Sequence, residues 1–216
     1  MEKFKCFLDN RENMKKYLME FAGTFFLVLA IGLSGNPLAI GLMLMAMVYI
    51  GGHVSGAHYN PAVTLAVWLR GKLESKKVVG YILSQVLGSF AAAFAVYLLT
   101  SKTFMPAPGI SVLKIHALLI EILFTFVLAF VILTVATSKK FEKSNVYGIA
   151  IGLTLSAIIY AGANISGAAY NPAVAIGTII TSHSISNTTL SNLWIYLLGP
   201  FIGGAFAAVF FKYSNK

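Results

Sequence analysis

The chain has 216 residues, of which 58% are hydrophobic and only 11% charged, and its mean hydropathy is +0.81. That excludes an ordinary soluble domain, in which about a quarter of the residues carry charge. The formal charge of +9 does not signal a nucleic-acid partner, because the basic residues are scattered between apolar runs and never gather into a groove-sized patch.

Taken in chain order, the first sixteen residues carry five Lys/Arg and the single cysteine, Cys6. The apolar run that follows has no cleavage signal and reads as a retained helix. Cys6 permits no internal disulfide, and no Cys and His fall at metal-ligand spacing, so neither a metal nor another cofactor is expected. Apolar stretches at about 17–35, 37–54, 78–99, 112–136, 146–163 and 191–211 each approach the length of a membrane crossing. Two shorter pieces, about 60–69 and 171–181, begin at an Asn-Pro and read as half-spans. Six crossings use about 120 residues, which leaves no room for a second domain.

Lys3, Lys5, Arg11, Lys15, Lys16, Arg70, Lys72, Lys76, Lys77, Lys139, Lys140, Lys143, Lys212 and Lys216 fall on one predicted side of these spans, against Lys102 and Lys114 on the other. Fourteen to two puts both termini in the cytoplasm. Tyr17, Trp68, Trp194, Tyr196 and Tyr213 lie near predicted span ends, where they suit either the membrane interface or packing.

The second half repeats the first. Residues 39–66 laid on 150–177 match at 16 of 28 positions, including Tyr49 on Tyr160 and Ser55-Gly56-Ala57 on Ser166-Gly167-Ala168. Upstream, Glu20 and Thr24-Phe25 pair with Glu121 and Thr125-Phe126; downstream, Tyr81 and Gly88 pair with Tyr196 and Gly203. Each copy holds three spans, an odd number, so the second enters from the opposite face as an inverted repeat.

Asn60-Pro61-Ala62 and Asn171-Pro172-Ala173 occupy equivalent places in the two copies. Asn suits an N-cap and Pro the first helical position, so one copy alone is only a capping signal. Two copies entering from opposite faces bring two positive helix ends, each worth about half a charge, to one depth. The Asn amides then present donors, and the carbonyls of Gly52-His53-Val54 and Ala163-Asn164-Ile165 are expected to supply acceptors along a track. Neutral molecules that donate and accept hydrogen bonds fit such a track; a cation meets a positive centre without its hydration shell.

On these motifs, over about residues 15–213, the chain resembles the aquaporin, or major intrinsic protein, family. The resemblance implies an all-α membrane protein: six transmembrane helices plus two re-entrant half-helices in an inverted three-plus-three repeat. It implies one channel domain over 1–216, with copies at about 15–99 and 112–213, and a homotetramer in membrane lipid. Glu20 and Glu121, with Gln85, are by resemblance buried braces for the loops that carry the half-helices; bare apolar packing would not accommodate the acids cheaply. Gly88, Gly203 and Gly204 permit close helix approach. A plasma (inner) membrane of a prokaryote is the expected location.

Water-selective members carry a filter of an aromatic residue, a His, a small residue and an Arg. The matching positions here are Ile40, Ile159, Ala168 and Val174, and the Arg-Asp that usually follows the second motif in glycerol-conducting members is replaced by Val174-Ala175. The quartet resembles plant vacuolar-membrane members with Ile-Ala-Val at the last three positions, associated with water, urea, ammonia and hydrogen peroxide. The leading reading is a passive water channel that also admits small uncharged solutes. The alternative is a facilitator mainly for ammonia, glycerol or urea, and an ion channel is a third reading motivated only by the missing Arg. No nucleophile–base arrangement supports an enzyme.

Several residues carry smaller expectations. His53 and His58 read either as satisfied structural groups or as a carbonyl brace or pH-sensitive gate. Cys6 lies far from the predicted pore, so thiol reagents are not expected to block it. The loop at about 100–111, with Pro106 and Pro108, is expected to carry little gating machinery. Asn187-Thr188-Thr189 is a glycosylation sequon on the non-cytoplasmic side.

Overall fold

The computed structural model describes residues 2–141, 144–182 and 187–215, without the side chains of 2–10 and 187–189. Cys6, Lys3, Lys5, Lys143, Lys216 and the side chains of the 187–189 sequon therefore lie outside the described groups. Every described element is helical: α1 (Glu2–Ser34), α2 (Pro37–Gly51), α3 (Pro61–Leu69), α4 (Ser75–Thr100), α5 (Lys114–Thr137), α6 (Tyr147–Ser166), α7 (Pro172–Thr181) and α8 (Asn187–Ser214), with a short 3-10 turn at Lys139–Phe141.

Among the described residues five helices are long and apolar enough to cross a membrane, namely Arg11–Ser34 within α1, α4, α5, α6 and Leu190–Ser214 within α8; α2 and α7 are shorter apolar helices. The sequence run at 37–54 predicts a longer helix than α2. Its regular part ends at Gly51, and turns carried by Val54 N–H and Ser55 N–H on Gly51 O (both 2.9 Å) continue it toward the first re-entrant segment. At the other end Asn36 caps the helix, its side chain accepting from Leu38 N (2.9 Å) and Ala39 N (3.2 Å), with Pro37 at the first helical position.

The outward faces carry large apolar groups such as Leu83, Leu98, Leu99, Phe206 and Val209, all more than half exposed. With the backbone bonded inside helices, this surface suits hydrocarbon and not water. The chain is an integral, multi-pass membrane protein. Tyr196 departs from its interfacial reading: it is fully buried, and its hydroxyl donates to Ser166 O (2.5 Å).

Helix α1 packs along α4 and α5 along α8, while α2 meets α6 across the two halves. The short helices are exchanged: α3 packs on α8 and α7 on α4. Gly88 and Gly203 are what lets the long pairs close. A Cβ at Gly88 would press on the backbone of Phe21, and on Phe25 N at 3.2 Å; one at Gly203 would press on Ile122 O, and on Phe126 N at 2.9 Å. The repeat is thus carried down to single contacts, and it sets α3 and α7 end to end at the centre.

Candidate functional site: a central cavity between two re-entrant segments

Each half reverses direction between a long helix and a short one, and the reversal uses left-handed backbone. Gly56, Ala57 and Tyr59 have φ of +91°, +52° and +50°; Gly167, Ala168 and Tyr170 have +82°, +54° and +47°. Non-glycine residues adopt this region only at a cost, so the surroundings must hold them there. They do so with matching contacts in the two halves.

Glu20, fully buried on α1, accepts at Oε1 from Ser55 Oγ (2.6 Å) and His58 N (3.0 Å), and at Oε2 from Tyr59 N (2.7 Å) and Gln85 Nε2 (2.9 Å). Glu121, fully buried on α5, accepts at Oε1 from Ser166 Oγ (2.7 Å) and Ala169 N (3.0 Å), and at Oε2 from Tyr170 N (2.7 Å). Ser55 Oγ and Ser166 Oγ in turn accept from Ala57 N (3.1 Å) and Ala168 N (3.0 Å). Tyr81 and Tyr196 donate to Ser55 O (2.7 Å) and Ser166 O (2.5 Å), while Tyr59 and Tyr170 donate to Met47 O (2.9 Å) and Ile158 O (3.1 Å). The tyrosine pair Tyr81 and Tyr196 is visible in the sequence as a repeat match, but its hydroxyl contacts are a finding of the fold.

Asn60 and Asn171 cap α3 and α7, each Oδ1 accepting from the N–H two residues on, at 2.8 Å from Ala62 and 3.0 Å from Ala173. Their Nδ2 groups cross the repeat axis: Asn60 donates to Tyr170 O (2.8 Å) and Asn171 to Tyr59 O (2.9 Å). An amide nitrogen has two hydrogens, so one N–H of each Asn is left for the cavity that both residues line. Pro61, Ala62, Pro172 and Ala173 are buried beneath them as the first turns of α3 and α7.

That cavity encloses about 210 Å3 and brings Ile40, Ile159, Ala168 and Val174 together with Asn60 and Asn171. Its remaining walls are mainly aliphatic, from Leu27, Leu44, Leu128 and Leu155. Three residues of the 100–111 loop, Phe104, Met105 and Pro106, also line it. Little gating machinery is expected of this loop from its sequence, because it is short.

A second vestibule of about 820 Å3 opens on the face that carries Lys16, Lys72, Lys77 and Lys139. There hydrogen bonding from Lys77, and next from Lys76, holds the exposed Glu74 carboxyl below the usual carboxylate range. Ala57, His58, Ile132 and Ile151 line both spaces, so the two vestibules meet at the level of the first re-entrant segment. The acceptor track differs from its expected placement in the second half. Ala163, Asn164 and Ile165 belong to α6, where Ala163 O accepts from Gly167 N (2.9 Å) and Ile165 O from Gly109 N (3.1 Å). Of the three, Ala163 lines the cavity, beside the irregular backbone of 167–170.

The halves differ at one network. Thr64 Oγ1 donates to Asn60 O (3.1 Å) and accepts from Gln85 Nε2 (2.8 Å), which leaves it to accept from His58 Nδ1 (3.2 Å). This assigns the Nδ1–H tautomer and leaves Nε2 with a lone pair. The second copy has Ala169 and Ala175 in place of His58 and Thr64, so only the first re-entrant segment carries an imidazole. His53, by contrast, is exposed on the lysine-rich vestibule.

Two short Asn-capped helices around one central cavity, inside a multi-spanning bundle, define a channel class. The profile of the major intrinsic protein family matches residues 7–211, and the chain belongs to that family. It is similar to glycerol uptake facilitator protein-like 6 of Lactiplantibacillus plantarum, with 36% identity covering 90% of this chain and 95% of that protein. It is also similar to aquaporin AqpM of Methanothermobacter thermautotrophicus, with 33% identity covering 94% and 98%. Among solved structures, the aquaglyceroporin from Plasmodium falciparum shares the fold, with a TM-score of 0.81 over 93% of this chain and 96% of that one at 23% identity. The protein is a channel of the major intrinsic protein family.

Proposed function

We propose that the chain is a passive facilitator for small neutral solutes such as glycerol, urea or ammonia, with water passing as well, and that Ile40, Ile159, Ala168 and Val174 form its filter. The observation that carries this reading is the wall of the central cavity: the four residues share one space with the Asn60 and Asn171 amides, and none of the four side chains has a polar atom. A filter without a guanidinium or an imidazole loses the donors that single out water and leaves rejection to width. The name of the Lactiplantibacillus relative points to glycerol, and the Methanothermobacter relative is called an aquaporin. Together they favour a mixed neutral-solute channel over a water-only one.

The whole of 1–216 forms one channel domain, with repeat copies at about 15–99 and 112–213. In this reading α2 and the turns that continue it make the sixth crossing, and α3 and α7 are the half-helices. The lysine-rich vestibule faces the cytoplasm with both termini, in a prokaryotic plasma membrane, and four subunits assemble with one pore each. Side-by-side stopped-flow permeability to water, glycerol, urea and ammonia in liposomes tests the reading. Glycerol and urea fluxes no greater than those of protein-free liposomes, beside a large water flux, would return the protein to a water-only channel.

The Asn pair is expected to set cation exclusion. In Asn60→Asp or Asn171→Asp a carboxylate replaces the donor to Tyr170 O or Tyr59 O, and a negative charge meets the two positive helix ends. Sodium or proton conductance in assembled mutant channels should rise well above that of the parent while water flux persists. Equal exclusion by parent and both mutants would count against a shared central barrier.

A further inference from the structure

We infer that the lysine-rich vestibule is a binding site for a soluble polyphosphate ester of nucleotide size, and that its occupant plugs the channel. The plug rests on the central cavity being the permeation path; the site itself does not. Four segments far apart in sequence each bring an ammonium to the wall: Lys16 from α1, Lys72 from the link between α3 and α4, Lys77 from the first turn of α4, and Lys139 from the 3-10 turn after α5. Among the described residues Glu74 is the one acid there, and it is already shared by Lys76 (3.1 Å) and Lys77. No ion pair among the described residues involves Lys16, Lys72 or Lys139. Their charge is left to act on whatever enters the space.

Sign and size select the ligand. A cleft lined by charges of one sign concentrates the opposite ion, so this one gathers anions and repels cations. Lysine is a point charge that suits phosphate oxygens, and several lysines are matched best by one compact group carrying several negative charges. His53 is exposed on the same wall, and Ser138 Oγ, which accepts from Lys140 N (3.3 Å), keeps its own hydrogen to donate. The vestibule holds about 820 Å3, against about 210 Å3 for the cavity beyond. An anion that fills the first does not pass into the second, where Ile132 and Ile151 begin an apolar wall and a charge would lose its hydration without replacement. It stops at the level of Ala57 and His58, where the two spaces join, and so occupies the way that a neutral solute must take.

The test uses adenosine, AMP and ATP, because the organic part stays constant while the charge grows. Glycerol and water flux is measured in phosphatidylcholine vesicles with each compound on both sides, without divalent cations and at matched osmolality. Equilibrium binding of ATP to the detergent-solubilised channel is measured in parallel. Adenosine should do nothing and AMP little; ATP should bind and reduce both fluxes, with inhibition fading as ionic strength rises. Lys72→Gln combined with Lys139→Gln should raise the ATP concentration for half-inhibition on the order of ten-fold, while Lys72→Arg with Lys139→Arg should keep it near that of the parent. Phosphatidic acid in the vesicles offers the same phosphate from the membrane, and block by that lipid with no effect of ATP overturns the soluble ligand. Equal effects of adenosine and ATP, or inhibition unchanged in the Gln pair, overturn the site. ATP binding beside full flux overturns the plug. A parent that passes no neutral solute overturns the functional reading and the plug with it, while ATP binding that weakens in the Gln pair still supports the site.

Discussion

Glu20→Ala is expected to lower the melting temperature of the detergent-solubilised channel severely and to cut its yield, and Glu121→Ala to do so somewhat less. Removing Glu20 strips the acceptor from Ser55 Oγ, His58 N, Tyr59 N and Gln85 Nε2; removing Glu121 strips it from Ser166 Oγ, Ala169 N and Tyr170 N. Each unmet buried donor costs roughly 1–3 kcal/mol, so either change removes several kcal/mol from a fold whose net stability is small. The cost is compounded because Tyr59 and Tyr170 sit at positive φ and rely on these bonds to remain there. The fraction that does assemble should rank solutes as the parent does, since neither carboxylate lines the central cavity. Thermal unfolding followed by intrinsic fluorescence, together with liposome flux, checks both halves of the expectation. A variant as stable as the parent but without flux would move that carboxylate from support into conduction.

The same four-against-three asymmetry shows what a sequence can and cannot carry. The repeat match places Glu20 on Glu121 and Ser55 on Ser166 because both partners recur as letters at corresponding positions. The doubled Asn-Pro announces two capped helices because capping is a local property of a few consecutive residues. The fourth partner of Glu20, Gln85, has no equivalent in the second copy, so only contact in space reveals that it also holds Thr64 and, through Thr64, His58. Tyr196 was open to an interfacial reading for a related reason: its position near a span end says nothing of whether its hydroxyl reaches lipid headgroups or a carbonyl. The cross-axis bonds of the Asn amides, between residues 110 and 112 apart in sequence, follow only once the two halves are docked.

The loop that carries Phe104 was the least legible part. Loops are read from turn chemistry, and Pro106 and Pro108 mark this one as irregular without saying where it lies. Its place at the cavity depends on two landing points, Gly32 inside α1 and Gly167 at the end of α6. Gly32 is not distinguished in sequence from glycines that serve helix packing, such as Gly88, and the repeated Ser-Gly-Ala marks Gly167 as a turn without showing what lands on it. The extent of the acceptor track is hidden by a similar limit: an apolar run ending in Ser-Gly does not reveal how many of its last residues are still helical, and α6 keeps Ala163–Ile165 within its final turn.

Val174→Arg tests the filter from the other direction and is expected to lower the solute-to-water permeability ratio. Val174 is almost fully buried, among Val28, Ala92 and Phe104, at the edge of a cavity of about 210 Å3. A guanidinium cannot remain in that apolar contact, where an unpaired charge is expensive, so the side chain must extend into the cavity and find water or backbone oxygen there. Ile40 and Ile159 give it no hydrogen-bond partner, and the mutant should be less stable for that reason. In assembled channels the long side chain takes width that a larger solute needs. It also adds donors that a small molecule able to reorient in single file can use. Glycerol and urea permeability should therefore fall by a larger factor than water permeability, on the order of ten-fold in the ratio if the added barrier is about 1.4 kcal/mol. The measurement is the solute-to-water ratio for parent and mutant in the same lipid, normalised to channel content. A ratio that stays constant or rises would mean that Val174 does not border the limiting width, and that selectivity is set deeper, where the Asn60 and Asn171 amides meet.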